Sequence, residues 1–284
     1  MTRKIGLVTD ITSDIPAEWI QQFNIAVVPM TVVFGDEELV VGKDINAKQF
    51  YERMRSENVH PTTSQPVPGD FQSVFQSMRD KGAQEILCIT ISEAQSGTFN
   101  VAQQAAAEAD FPVTVVNSRN NSMGLGWQVI AAARAREEGA GLKEMVAQVK
   151  KIRGKMAYYI LLDTIEYLSK GGRIGEAVNL LDSLLKIKPL VHVKADTGEV
   201  GVGLPSRSRK SGKRNLFRVF FKHMDPSKPL HIAVLHNDVQ EEAEALAEQV
   251  RVEFDPDELI IGMVNPILGA HTGPGAIALC GYSG

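Results

Sequence analysis

The feature that most constrains this chain is an alternation in its first half. Short runs rich in aliphatic and β-branched residues, "KIGLVTD", "IAVVPMTVVF", "EILCITIS" and "VTVVNS", are each followed by a stretch of helical character. These are "PAEWIQQF", "NAKQFYERMRSE", "FNVAQQAAAEAD" and "GLGWQVIAAARAREE". Strands that are apolar throughout belong to sheets covered on both faces, and a strand–helix succession closes most simply as a parallel sheet. The expectation is a mostly parallel α/β/α sandwich over residues 1–154. In open sheets of this kind ligands bind beyond the C-terminal ends of the strands, so the loops after these runs are where function is to be sought.

After "LKEMVAQVKKIRGK" the pattern changes. "AYYILLD", a helical "EAVNLLDSLLKI", "KPLVHVKADTGEVGVG", a basic helical "RSRKSGKRNLFRVFFKHM", "LHIAVLH", "EEAEALAEQVRVEF" and "ELIIGMVN" mix hairpin and helix. Residues 155–284 therefore read as a second, α+β domain with a mixed or antiparallel sheet, and "ADTGEV" supplies the turn of one hairpin. No repeat or flexible Gly/Ser linker separates the halves, so they are expected to pack tightly with a ligand site at their seam.

Composition closes off several classes. A hydrophobic share of 44% over 284 residues supports a core of ordinary size, and a net charge of −4 argues against a general binder of nucleic acid or anionic membranes. Aromatics make up only 6%, so an interior pocket would be lined mainly by aliphatic side chains. The opening "MTRKIGLVTD" is broken by Gly6 and ended by Asp10, too short for a signal-peptide core. No run approaches the ~18 apolar residues of a membrane span. Cys88 and Cys280 sit in apolar strand-like text and read as buried free thiols of a reducing cytoplasm.

Several loops could carry chemistry, and each admits a plain structural reading. In "TDITSDIP", Ser13 or Asp14 could cap a helix starting near Pro16, or Asp10 and Asp14 could hold a cation or serve phosphoryl transfer. In "HPTTSQPVPGDF", Pro61, Pro66 and Pro68 stiffen the chain around Thr62, Thr63, Ser64 and Gln65, which makes either a surface bend or a platform for hydroxyls. "SGT" puts Ser96, Gly97 and Thr98 ahead of an Ala-rich helix, where they could cap it, bind an anion or supply a nucleophilic serine. "HTGPG" sets His271 beside two glycines, as a structural or a ligand-facing imidazole. "SKGGRIG" releases Arg173 after a glycine pair, toward an ion pair or a carboxylate. The run Arg207 to Arg214 reads as a solvated helix face or a docking patch.

Taken in order and at full length, "TDITSDIP", "TTSQPVPGDF", "SEAQSGTFNVA", "NSRNNSMGLGWQV", "LLDTIEYLSKGGRIG", "KIKPLVHV", "RSRK" and "HTGPGAIAL" resemble the DegV family, whose members include the fatty-acid-binding (FakB) subunits of bacterial fatty acid kinase. The resemblance implies two α/β domains enclosing one long-chain fatty acid, such as palmitate, stearate or oleate, with no further cofactor. By motif it implies that Thr63, Ser64 and Ser96, with Gly97 and Thr98, hold the carboxylate, with His271 in support. It places Arg173 near the head group or on a kinase-docking surface, and Arg207 and Arg209 on the docking patch.

It further implies a cytoplasmic carrier without its own complete catalytic site, a kinase catalytic subunit as partner, transient membrane contact for lipid exchange, and no nucleic acid. Burying a C16 or C18 tail at about 0.8 kcal/mol per methylene gives on the order of 10 kcal/mol, so hydroxyl donors suffice for the carboxylate. The chain departs from the family pattern at Glu93, Ala94 and Gln95, at Asn117 and at Val67. Two rivals stand beside this reading. One is an enzyme for a small anion using Asp10, Asp14, Ser96 and His271; the other is a lipid-sensing regulator.

Overall fold

The computed structural model describes residues 4–57, 59–178 and 187–284. Its first half runs β1 (Ile5–Asp10), α1 (Ala17–Gln22), β2 (Ile25–Val28), β3 (Thr31–Phe34), β4 (Glu37–Val40), α2 (Ala47–Ser56), β5 (Thr62–Ser64), α3 (Pro68–Asp80), β6 (Glu85–Thr90), α4 (Thr98–Glu108), β7 (Val113–Asn117), α5 (Ser122–Glu137) and α6 (Leu142–Arg153). Strands pair in the order β2-β1-β6-β7, all parallel. Successive residues serve opposite faces of this sheet. Leu7, Leu87 and Ile89 pack with Leu125, Val129 and Met145 of α5 and α6, while Val8, Ile86 and Cys88 pack with Phe71, Phe75 and Ala102 of α3 and α4. That double burial is why the strands carry no polar alternation.

The run "IAVVPMTVVF", read as one strand, is two. Pro29 interrupts it; β2 stays in the parallel sheet, while β3 joins a three-stranded antiparallel sheet in the order β4-β3-β5. Proline has no N–H to give a ladder, so a strand passing through it ends there. The segment expected as a stiff bend contributes the third strand, with Thr63 opposite Val32.

The second half comprises β8 (Ala157–Leu161), α7 (Glu166–Lys170), β9 (Leu190–Val193), β10 (Val200–Val202), α8 (Arg209–Phe221), β11 (Leu230–His236), α9 (Gln240–Phe254), β12 (Glu258–Met263), α10 (Pro266–Thr272) and β13 (Ile277–Ser283). The sheet order is β10-β9-β8-β13-β11-β12, antiparallel except for β11 and β12. The expected hairpin is β9–β10. The helix expected over "EAVNLLDSLLKI" falls largely on residues 179–186, which lie outside the described residues. No described helix is long and apolar enough to cross a membrane.

One face of the six-stranded sheet packs on α8 and α9 through Leu216, Phe220, Leu246 and Val250. The other meets the first half, where Tyr158, Ile160, Leu235 and Cys280 share a core with Met30, Val32, Tyr51 and Trp127. Trp127, fully buried, stands 5.6 Å from Trp19, 5.8 Å from His231 and 6.0 Å from Tyr282 by ring centroids. Beside it, Arg134 of α5 donates to both oxygens of Glu258 on β12, one bond at 2.9 Å, and Glu258 Oε2 is 2.5 Å from His231 Nδ1. Burial alone would raise the Glu258 pKa, yet hydrogen bonds from His231 and Arg134 hold it down to about 2.

The "TDITSDIP" loop is a second tie. Asp10 caps a 3-10 turn through Thr12 N at 3.0 Å and accepts from Ile91 N at 2.8 Å. The expected cap by Ser13 or Asp14 is absent from α1, whose N-cap position is Pro16 and which has no side-chain cap. Asp14 instead reaches across to accept from Asn265 N at 3.0 Å and Nδ2 at 2.8 Å, and from Ser122 Oγ. Burial pushes its pKa up to about 6 against these bonds.

A folded-state pKa above the unfolded value means that the fold favours the proton. This contribution is present below about pH 4 and fades as pH rises through 6. Asp14→Asn is expected to flatten the pH dependence of the unfolding free energy, measured by urea denaturation between pH 4.5 and 7, by about 2 kcal/mol; an unchanged slope would contradict that.

Candidate functional site

At the seam, beyond the C-terminal end of β6, lies a pocket with about 730 Å³ of atom-free space, its open mouth included. Its inner walls are apolar, formed by Met30, Ile91, Ile160, Leu168, Leu235 and Ile267. Thr63, Gln95, Ser96, Asn121, Arg173 and His271 gather a polar lining. Apolar walls combined with a few placed polar groups are the ordinary make-up of a small-molecule site.

Each polar group arrives by a definable route. Thr63 is set by the pairing of β5 with β3. His271 stands in the last turn of α10, not on the glycine loop expected for it, because Asn265 caps the helix through Ile267 N and Leu268 N and the chain leaves only at Gly273, with φ +72°. Thr63 Oγ1 and His271 Nε2 are 3.0 Å apart. His271 Nδ1 is buried without a hydrogen-bond partner among the described residues, and Gly171 packs so closely that a Cβ there would collide with it.

Burial, with the charges of Arg173 and His60, lowers the His271 pKa to about 4. The imidazole is therefore neutral at physiological pH, and its stabilising neutral form is lost only as pH falls from about 6.5 through 4. An NMR titration of the His271 ring should show a midpoint near 4; a midpoint at 6 or above would contradict this environment.

Ser96 faces the pocket with its Oγ 2.8 Å from Thr98 Oγ1, while Thr98 is fully buried behind it and Gly97 occupies the N-cap position of α4. Ser64 is not brought in: one residue along β5 from Thr63, it is exposed, as the two-residue period of a strand requires. Arg173 lines the pocket, donating through Nη1 to Gly171 O at 2.8 Å and through Nε to Gln95 O at 3.3 Å. No carboxylate of the described residues pairs with it.

Arg207 is exposed, and Arg209 binds Glu242 at 3.0 Å with Asp163 3.8 Å away. Neither lines the pocket. The constellation of the rival enzyme is not assembled, since Ser96 and His271 face the pocket while Asp10 and Asp14 lie outside its lining and are engaged in the ties described above. Among the described residues no group of three His, Cys, Asp or Glu could hold a metal ion.

Two further lining residues were not among the candidate ligand contacts. Gln95 stood out as a departure from the family pattern beside the mouth, and Asn121 sits in "SRNNS" at the N-cap position of α5, where its side chain makes no capping hydrogen bond.

Residues 4–283 match the family model described as "Uncharacterised protein, DegV family". A DegV domain-containing protein of Clostridium acetobutylicum is 34% identical over 284 residues, covering 98% of each chain. One of Streptomyces coelicolor is 33% identical over 282 residues, again with 98% of each covered. Among solved structures, a DegV family protein from Thermus thermophilus described for its fatty acid binding superposes with a TM-score of 0.92 at 30% identity over 99% of both chains. DegV of Bacillus subtilis, described as a fatty acid binding protein, gives 0.92 at 26% identity over 100% of both. Motif order, two-domain α/β fold and full-length similarity agree, and the chain belongs to the DegV family.

Proposed function

We propose that the protein binds one long-chain fatty acid, its tail among the aliphatic walls and its carboxylate among Thr63, Ser96, His271 and Arg173. The observation that carries this reading is the Thr63–His271 pair in the lining of a seam pocket with apolar walls, which Arg173 also lines without a carboxylate partner among the described residues. A neutral imidazole lets the Thr63 hydroxyl donate outward to an anion while its oxygen accepts from Nε2–H. The described fatty acid binding of the Thermus thermophilus and Bacillus subtilis proteins supports the same ligand class. A tail contribution on the order of 10 kcal/mol is enough for the lipid to remain bound through purification.

The two domains divide at residue 154 in this reading, between α6 and β8. The protein acts as a cytoplasmic carrier rather than an enzyme and presents the carboxylate to a partner kinase for phosphorylation, with exposed Arg207 on the docking side and Arg209 held back by Glu242. Native mass spectrometry of gently purified protein, followed by denaturation, should release a C14 to C18 fatty acid in stoichiometric amount. Protein that is ligand-free and takes up neither palmitate nor oleate would overturn the proposal.

A further inference from the structure

Gln95, half-buried in the loop between β6 and α4, borders two clefts at once. One is the seam pocket; the other is an outer cleft walled by Gly172, Glu176, Glu199 and Val200. Among the described residues the two clefts share Gln95 and Arg173 alone, so these residues form the partition between them.

Each polar group of Gln95 is engaged. Its N–H donates to Ser92 O at 3.0 Å, and its main-chain carbonyl accepts from Arg173 Nε at 3.3 Å. Side-chain Nε2 donates to Gly198 O at 2.7 Å, across the seam in the β9–β10 turn, and Oε1 accepts from Asn121 Nδ2 at 2.5 Å. The far anchor is itself fixed. Gly198 has φ +77°, a Cβ there would collide with Ser92 Oγ, and Ser92 Oγ donates to the same carbonyl at 3.1 Å. An amide side chain gives a proton to a carbonyl and accepts one from another amide at the same time, which an ionised carboxylate of the same shape cannot do.

We propose that Gln95 is a positioning residue: by spanning Asn121 and Gly198 it fixes the carbonyl on which Arg173 Nε rests, and so keeps the guanidinium in the partition, within reach of a carboxylate at the pocket mouth. The proposal rests on the carboxylate-binding reading above. Without the brace, the guanidinium is free to turn toward the outer cleft, whose Glu176 and Glu199 are shared with Lys194 at 2.7 and 3.6 Å. The tail stays bound by its apolar contacts, so the consequence falls on release of the head group.

The test compares the wild type, Gln95→Leu, Arg173→Ala and the double variant. Stopped-flow release of cis-parinaric acid is measured, together with water exchange of the Arg173 Nε–H by 15N NMR on the ligand-free chain. Gln95→Leu should speed release about tenfold, as loss of a hydrogen-bonded brace to a charged group implies. It should speed it no further in the Arg173→Ala background, and it should accelerate Nε–H exchange. Equal effects of Gln95→Leu on both backgrounds, or unchanged Nε–H exchange, would overturn the proposal.

If the wild type binds no fatty acid, the carboxylate reading fails and the exchange measurement alone decides whether Gln95 positions Arg173. Should the leucine variant not fold, the isosteric Gln95→Glu takes its place. It loses the bond to Gly198 O and adds a carboxylate beside Arg173, so faster release that is sensitive to salt supports the proposal and wild-type release overturns it.

Discussion

Replacing Thr63 by valine and Ser96 by alanine together is expected to weaken fatty acid binding by roughly two to four orders of magnitude, since each hydrogen bond to a charged group is worth about 1.5–3 kcal/mol. Thr63→Val also leaves His271 Nε2 without its described partner, and Nδ1 already has none. The imidazole then lines the mouth with no oriented hydroxyl. Titration of each variant with a fluorescent C18 fatty acid measures the loss. Ser64→Ala is the internal control: Ser64 is also a hydroxyl in the same strand, but it points away from the pocket, and its removal should change affinity by less than about twofold. Equal losses at Ser64 and Thr63, or a double variant that binds as the wild type does, would sink the assigned head-group site.

The second large effect is on stability. Trp127→Ala empties the centre of the seam, where the indole meets Trp19, His231 and Tyr282 without exposure. Deletion of a buried tryptophan side chain costs about 3–5 kcal/mol, which for a chain of this size corresponds to a melting point lower by on the order of 10 °C. Because Trp127 belongs to α5 and its contacts include strands β11 and β13, the loss should loosen the joint between halves as well as the core. Calorimetry reads this as a lower melting temperature, with separation into two transitions marking the loosened joint. A shift of less than about 2 °C would contradict the role given to the seam.

Parts of this architecture could be read directly from the residues. β1 and β6 announce themselves because strands buried on both faces are apolar without interruption, as Leu7 with Val8 and Ile86 with Leu87 show. The β9–β10 hairpin was visible because "ADTGEV" carries local turn chemistry. The small β4-β3-β5 sheet was not. β4 reads "EELV" and β5 "TTS", neither apolar enough to signal burial, and both exist because β3 lies between them; Val32 and Thr63 are far apart in sequence.

The same limit applies to the site. Thr63, Ser96, Arg173 and His271 could be nominated from local motifs and family resemblance, but their meeting in the lining of one pocket depends on contacts between the halves. Ser64 was nominated as an equal of Thr63 because the segment was taken for a bend; as a strand it alternates, and Ser64 is exposed while Thr63 lines the pocket. Asp14 looked like a helix cap since its partner Asn265 lies 251 residues away. His271 looked like a loop residue because the glycines that end α10 follow it immediately.

The most direct test of the central claim is a crystal structure of the protein with oleate. The account predicts an acyl chain running along Ile160, Leu168, Leu235 and Ile267, with its carboxylate in hydrogen-bond contact with Thr63 and Ser96 and facing Arg173. Oleate bound with its methyl end at Thr63 and His271, or found only outside the seam pocket, would contradict it.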